Sequence, residues 1–286
     1  MRRKVSLRSG GQVACLQWGE AGPTILLHHA TGLCKEVWGE VAEPLAPYCR
    51  LISFDVRGHG DTTLAMEEPS WQHFGVDLAE VAEALANGLG LRFDLVVGHS
   101  LGGIAALIAA EVCPERFDHL LLVEPVLMDA DMARANRVQR RRNVLSTRTR
   151  KQWFASREHA RSELRQHALY ARWSARSLHD FTSGGLRACE TGGVELKCAP
   201  VTEAAIYQLG ATDMLDRVGL LSGPTVEILA SEVSAFSDAY QQVARTRAGM
   251  RLSTVSAGHM VPMEAPAVVV RAIARLCGLD GWRVGL

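Results

Sequence analysis

The chain has no surplus of charge: 31 Lys and Arg stand against 31 Asp and Glu. Nucleic acid and anionic membranes recruit proteins through a basic surplus, so neither is expected as a partner. No window holds about 18 uninterrupted apolar residues, the length a membrane-spanning helix needs. The basic start Met1-Arg2-Arg3-Lys4 runs into a mixed, polar stretch rather than an apolar one, so no signal peptide is expected. Disulfide and zinc patterns are also missing. Cys15, Cys34, Cys49, Cys113, Cys189, Cys198 and Cys277 are odd in number and scattered, with no CxxC spacing. That usage fits reduced thiols in a cytoplasmic protein. Cys113 and Cys277 lie in apolar helical stretches and read as small core residues.

What is present is an ordinary globular composition, 48% apolar and 22% charged over 286 residues, enough for one or two domains. Short apolar runs alternate with helical patterns through the first 125 or so residues, which predicts a mostly parallel sheet with crossover helices. Lys4–Arg8 and Gln12–Trp18 read as a hairpin turning at Ser9-Gly10-Gly11. Thr24–His28, Arg50–Phe54, Phe93–Val97 and His119–Val123 read as strands buried on both faces. Helices are expected at Cys34–Leu45, Val76–Leu89 and Leu101–Cys113. The pattern breaks after Pro125 and resumes with a strand at Pro224–Ala230, a helix at Asp238–Arg247, a strand at Arg251–Ser256 and a helix from Pro266 to Cys277. The expectation is therefore a core from segments 1–126 and 216–286, interrupted by a largely helical cap at 127–215.

The motif with chemical content is Gly98-His99-Ser100-Leu101-Gly102. A chain of this composition would show Gly-x-Ser-x-Gly by chance with a probability of about 0.1. Its setting is more specific: the strand Phe93–Val97 precedes it and an apolar helix opens directly after it. A sharp strand-to-helix turn lifts the serine Oγ above the sheet edge, and the helix N-terminus favours developing negative charge there. The alternative is a passive serine in a glycine-rich turn. A serine nucleophile needs a base, and the base an orienting acid. His259, in Ala257-Gly258-His259-Met260-Val261-Pro262, follows the final strand and is the expected base. His99 adjoins the nucleophile but is expected to point away, while His159, His167 and His179 fall in the cap. Two backbone N–H groups must receive the oxyanion, and Leu101 and Ala30 are the candidates. His28 reads as a brace for the loop that holds Ala30.

Four segments, LLHHATG, FDVRGHGDT, GHSLGG and AGHMVPMEAP, resemble the α/β-hydrolase superfamily in order and spacing, over roughly two thirds of the chain. The fold class implied is α/β, the α/β-hydrolase fold: a mostly parallel central sheet with crossover helices and an inserted helical cap. With serine at position 100, the resemblance leans toward esterases, lactonases and C–C bond hydrolases. The family often has His-Gly in the oxyanion loop, where this chain has His28-His29, so His29 is expected to narrow the acyl site. The family's usual aspartate follows the strand equivalent to PTVEILA, but the expected positions here carry Ser234 and Ala235. Glu232 and Asp238 are nearby but displaced. Glu124 ends the strand HLLLV at the same end of the sheet. A carboxylate there is costly to bury unless paired, and His259 would pair it. Glu124 is the first choice of acid, with Asp238 and Glu232 as alternatives.

The expected chemistry is cleavage of a small-molecule carboxylic ester or lactone through an acyl-enzyme on Ser100, with no metal or organic cofactor. C–C bond hydrolysis of a diketone-like substrate, or a ligand receptor built on the same fold, are the alternatives. Among the cap aromatics Trp153, Phe154, Trp173 and Phe181, the first three are expected to contact substrate. Arg137 to Lys151 is the densest basic run and reads as a solvated helix face. Asp55, Arg57 and His59 read as loop braces.

Overall fold

In the computed structural model, residues 1–90, 92–210 and 213–279 are described. The parts of the expected cap and core at 91, 211–212 and 280–286 lie outside them. Eleven strands are described: β1 (Arg2–Ser6), β2 (Gln12–Trp18), β3 (Thr24–His28), β4 (Arg50–Phe54), β5 (Phe93–His99), β6 (Phe117–Val123), β7 (Trp153–Phe154), β8 (Leu186–Ala188), β9 (Val194–Leu196), β10 (Thr225–Ser231) and β11 (Arg251–Val255). Eight form one sheet in the order β1-β2-β4-β3-β5-β6-β10-β11. The pairs β1–β2 and β2–β4 are antiparallel and the others parallel.

The sheet splits its apolar residues between two layers with a period of two, as strand geometry requires. Leu26, Ile52, Val96, Leu120, Leu122 and Ile228 face one cluster. Ile25, Leu27, Leu51, Leu95, Val97, Leu121 and Val123 face the other. Helices cover both. α1 (Gly39–Leu45) follows a 3₁₀ turn at Lys35–Trp38 and feeds the second cluster; α2 (Trp71–Leu89) and α3 (Leu101–Val112) cover the first. α2 starts earlier than the apolar repeat predicts because Ser70 caps it, its side chain accepting the His73 N–H at 3.2 Å. Such caps lie outside the hydrophobic pattern and so shift helix starts.

Between β6 and β10 the chain forms α4 (Ala130–Ala135), α5 (Arg137–Arg148), β7, α6 (Arg157–Gln166), α7 (Ala175–Gly184), β8, β9, α8 (Pro200–Gln208) and α9 (Met214–Leu220). The expectation of a largely helical segment misses a small antiparallel sheet, β7-β9-β8. Its strands are two or three residues long, too short to show alternation. This insertion is fastened to the sheet domain at several points. Lys197 Nζ donates to Asp61 Oδ1 at 2.5 Å, Ser177 Oγ to Glu40 Oε2 at 3.0 Å, and the Ser174 N–H to the Met263 carbonyl at 2.9 Å. After β10 come α10 (Ser237–Thr246), β11, α11 (Val261–Glu264) and α12 (Pro266–Leu276), which packs on α1. Among the described residues no helix is long and apolar enough to cross a membrane.

Candidate active site

Ser100 stands between β5 and α3 with φ 53° and ψ −110°. Glycines on both sides make this turn possible by contact. A Cβ at Gly98 would overlap the Gly102 carbonyl, and a Cβ at Gly102 would overlap the His28 carbonyl. The second contact seats the helix start against the loop that follows β3. Ser100 is anchored by its own N–H, which donates to the Val123 carbonyl at the end of β6 at 2.9 Å.

His259 lies in the loop after β11. Its Nε2 is 3.1 Å from Ser100 Oγ, and its Nδ1 is 3.0 Å from Glu124 Oε2. The remaining oxygen, Oε1, accepts the Ser231 N–H at 2.7 Å. Glu124 is 1% exposed and directly follows β6. Its backbone has φ 50°; Ser100 and Glu124 are the two non-glycine residues with positive φ among those described. Such conformations cost about 1–3 kcal/mol each and persist where surrounding structure imposes them. Here the Glu124 N–H is held by the Leu229 carbonyl of β10 at 3.0 Å, and Tyr240 Oη donates to the next carbonyl, Pro125, at 2.7 Å. The competing acids are elsewhere: Glu232 and Asp238 are exposed, and neither has a hydrogen bond or ion pair to His259 among the described residues.

The loop that carries His259 is braced from three directions. Glu264 Oε2 accepts the Gly258 N–H at 2.7 Å, Ser231 Oγ donates to the Ala257 carbonyl at 2.6 Å, and His99 Nε2 sits 2.9 Å from the His259 carbonyl. A carbonyl only accepts, so His99 carries its proton on Nε2. Burial, with His259 nearby, pushes the His99 pKa down to about 3, which keeps the ring neutral. Sequence reasoning missed these supports, although His99 does point away from the Ser100 hydroxyl. Only its place beside the motif singled it out.

The N–H groups of Ala30 and Leu101 have no acceptor among the described protein groups. Behind Ala30 lies a row of buried histidines. His28 Nδ1 is 2.9 Å from the His29 carbonyl, and burial lowers its pKa to about 4. His29 is lowered well below the ordinary range, by burial first and by His59 and His28 next. The expectation that His29 narrows the acyl site is corrected here. Its Nδ1 is 2.8 Å from the Ala30 carbonyl, its Nε2 accepts the Val56 N–H at 3.2 Å, and the ring is fully buried. Backbone partners on both nitrogens turn it inward as a brace. His59 Nε2 accepts the Gly32 N–H at 2.9 Å, Asp55 binds the buried Lys35 at 2.7 Å, and Arg57 forks onto Asp77.

The expected substrate contacts at Trp153, Phe154 and Trp173 also give way. Trp153 is 46% exposed, and its Nε1 donates to the Gly192 carbonyl at 3.1 Å, clasping the β8–β9 turn. Phe154 is buried beneath Lys151, whose Nζ is 5.2 Å from the ring centroid. Trp173 packs on Tyr170 and Phe181, at centroid distances of 4.9 and 5.8 Å, in the apolar layer they share with the sheet. Among the described residues, no hydrogen bond or ring contact joins these three to Ser100 or His259. Phe154 and Trp173 pack the insertion onto the sheet's apolar layer, and composition does not separate that use from pocket lining.

Residues 25–272 match the Alpha/beta hydrolase family. An esterase of Mycobacterium tuberculosis is 30% identical over 115 residues, which are 40% of this chain and 37% of that protein. The chain spans about a third of the length of the curated relatives it matches. Among solved structures, E-2-(acetamidomethylene)succinate hydrolase superposes with a TM-score of 0.81 at 19% identity, covering 97% of this chain and 99% of that one. The enol-lactonase of Burkholderia xenovorans gives 0.69 at 16% identity, covering 96% and 100%. At these identities the structural likeness is one of fold.

Proposed function

Since this chain belongs to the alpha/beta hydrolase family, we propose that it is a serine hydrolase cleaving a carboxylic ester or lactone through an acyl-enzyme on Ser100. The observation that carries the reading is the unbroken contact chain from Ser100 Oγ through both nitrogens of His259 to Glu124. A carboxylate oxygen accepts only, so Glu124 fixes the proton on Nδ1 and leaves Nε2 free to accept the Ser100 proton. Ser100 Oγ attacks the carbonyl carbon as His259 takes its proton. The carbonyl oxygen becomes an oxyanion, received by the N–H groups of Ala30, in the loop after β3, and Leu101, at the start of α3. Collapse expels the alcohol, which takes its proton from His259 Nε2. Water, deprotonated by the same nitrogen, then releases the acid and restores Ser100. The curated esterase relative supports the choice of bond.

The test is a panel of p-nitrophenyl esters of increasing acyl length, run with wild type and Ser100→Ala. Hydrolysis by the wild type that the variant loses by several orders of magnitude is the expected result. Activity that survives in Ser100→Ala refutes the serine mechanism, and an inactive wild type across the panel refutes the ester reading.

A further inference from the structure

Most of the basic run in α5 reaches solvent, but Arg150, just past its end, is largely covered, its side chain 22% exposed. Its Nε and Nη2 are buried and have no hydrogen-bonded acceptor. Its ion-pair partner is Glu203 of α8, with Nη2 2.6 Å from Oε2. That approach is off line, since Nη2 and Oε2 both remain without a hydrogen bond. Tyr170, Cys198 and Tyr207 are the other polar neighbours that feel its charge. A guanidinium is permanently charged and offers five donors in a planar fork. Beside the skewed carboxylate contact and the Tyr170 hydroxyl, Nε and Nη2 still lack acceptors, and buried donors are ordinarily satisfied.

The cluster lies against the loop that carries Ala30. The Glu203 carboxylate rests on the Cα of Gly32, where a Cβ would stand 2.8 Å from Oε1. Gly32 is two residues past Ala30, at most about 7 Å along the chain. The same loop touches the nucleophile turn through His28 and Gly102. Arg150 is also near enough to His59, which holds the Gly32 N–H, for its charge to add to the effect of burial on that ring. The unused donors therefore sit at the seam between the insertion and the oxyanion loop.

We propose that Arg150 anchors a second, anionic group of the substrate, so that the preferred ester or lactone carries a carboxylate at the end remote from the scissile carbonyl. This rests on Ser100 as the nucleophile. Glu203 holds the fork in place when the site is empty. Burial raises its carboxyl pKa even though Arg150 opposes the rise. A second carboxylate on the guanidinium favours the protonated form of Glu203, and the buried group keeps a single net charge of each sign.

The experiment compares mono-p-nitrophenyl adipate with its methyl-capped diester, in wild type, Arg150→Gln and Arg150→Lys. The wild type is expected to favour the free acid in kcat/KM, chiefly through KM. The acid-to-capped ratio is expected to fall by about ten- to hundredfold in Arg150→Gln, the effect of losing a hydrogen bond to a charged group. Arg150→Lys keeps the charge without the fork and should fall between. A wild type that favours the capped ester, or a ratio that Arg150→Gln leaves unchanged, overturns the proposal. If wild type turns over neither ester, the ester reading fails separately. Calorimetry of the adipate monoester on Ser100→Ala, with and without Arg150→Gln, then decides the anion site: binding lost with Arg150 supports it, and no binding or equal binding overturns it.

Discussion

Replacing Glu124 with glutamine changes one atom and should cost about 10⁴ in kcat. The carboxylate has two different partners: Oε1 accepts the Ser231 N–H at 2.7 Å, and Oε2 faces His259 Nδ1 at 3.0 Å. A glutamine amide has one oxygen and one NH₂ group. The Ser231 N–H accepts nothing, so the amide oxygen must stay there and the NH₂ must face His259. Nδ1 then becomes an acceptor, and the ring proton moves to Nε2. From Nε2 it points at Ser100 Oγ, 3.1 Å away, and the base is blocked. Removing an orienting acid in this way costs about 10⁴ in other serine hydrolases, about 5.4 kcal/mol of transition-state stabilisation. Stability should change little, because the Ser231 bond survives; Glu124→Ala would instead strand that buried N–H at about 1–3 kcal/mol. The assay is kcat on a p-nitrophenyl ester, with urea unfolding on the same preparations. If Glu124→Gln keeps kcat within about tenfold of wild type while Asp238→Asn loses several orders, the assignment is refuted.

The strained backbone at Ser100 predicts that Ser100→Gly is more stable than Ser100→Ala, by about 1 kcal/mol, since glycine takes φ 53° without steric cost. Thermal unfolding of the two inactive variants checks this, and equal midpoints would contradict it. Acid should destabilise the fold between about pH 6.5 and pH 4 through the buried histidines. His28 and His99 are held near 4 and 3 in the folded chain, by burial, against 6.5 when unfolded. Above pH 6.5 both states are neutral and the histidines contribute nothing; below it the unfolded chain binds protons first. Stability is thus present at neutral pH and falls by about 2.7 kcal/mol per pH unit for the pair. Urea unfolding across that window would find no such slope if these rings accept protons while folded.

The sheet and the proposed nucleophile, Ser100, are legible in the sequence for a specific reason. Strands such as β3 are buried at every position, so their apolar runs survive as continuous text, and the Gly98–Gly102 spacing records a close backbone approach. His259 was legible from its place after the last strand. The insertion was far less so. β8 and β9 carry three residues each, and Trp173 and Phe181 use in packing the same surface a pocket would use. Arg150 was hidden inside a basic run whose neighbours Arg141, Arg142 and Arg148 are exposed. Nothing local marks it, because its partner Glu203 lies 53 residues on and meets it through the contact of α5 with α8.

With Glu124 as the proposed acid, the geometry depends little on which strand supplies the carboxylate. β6 and β10 are parallel neighbours, and Val123 pairs with Leu229. Their ends therefore stand side by side, about 4.8 Å apart, both within reach of one imidazole nitrogen. Moving the acid to β6 creates a new demand, because a carboxylate leaving a buried strand needs a donor and a turn. The donor is the Ser231 N–H at the end of β10, the strand that lacks the acid. The turn is the positive φ of Glu124, which the Leu229 carbonyl holds through the Glu124 N–H. β10 also steadies the base, because Ser231 Oγ donates to the Ala257 carbonyl two residues before His259. β10, which does not carry the proposed acid, thus still holds both Glu124 and the His259 loop through one residue. Ser231→Ala would remove only the hydroxyl, while the N–H that holds Glu124 belongs to the backbone and survives every substitution except proline.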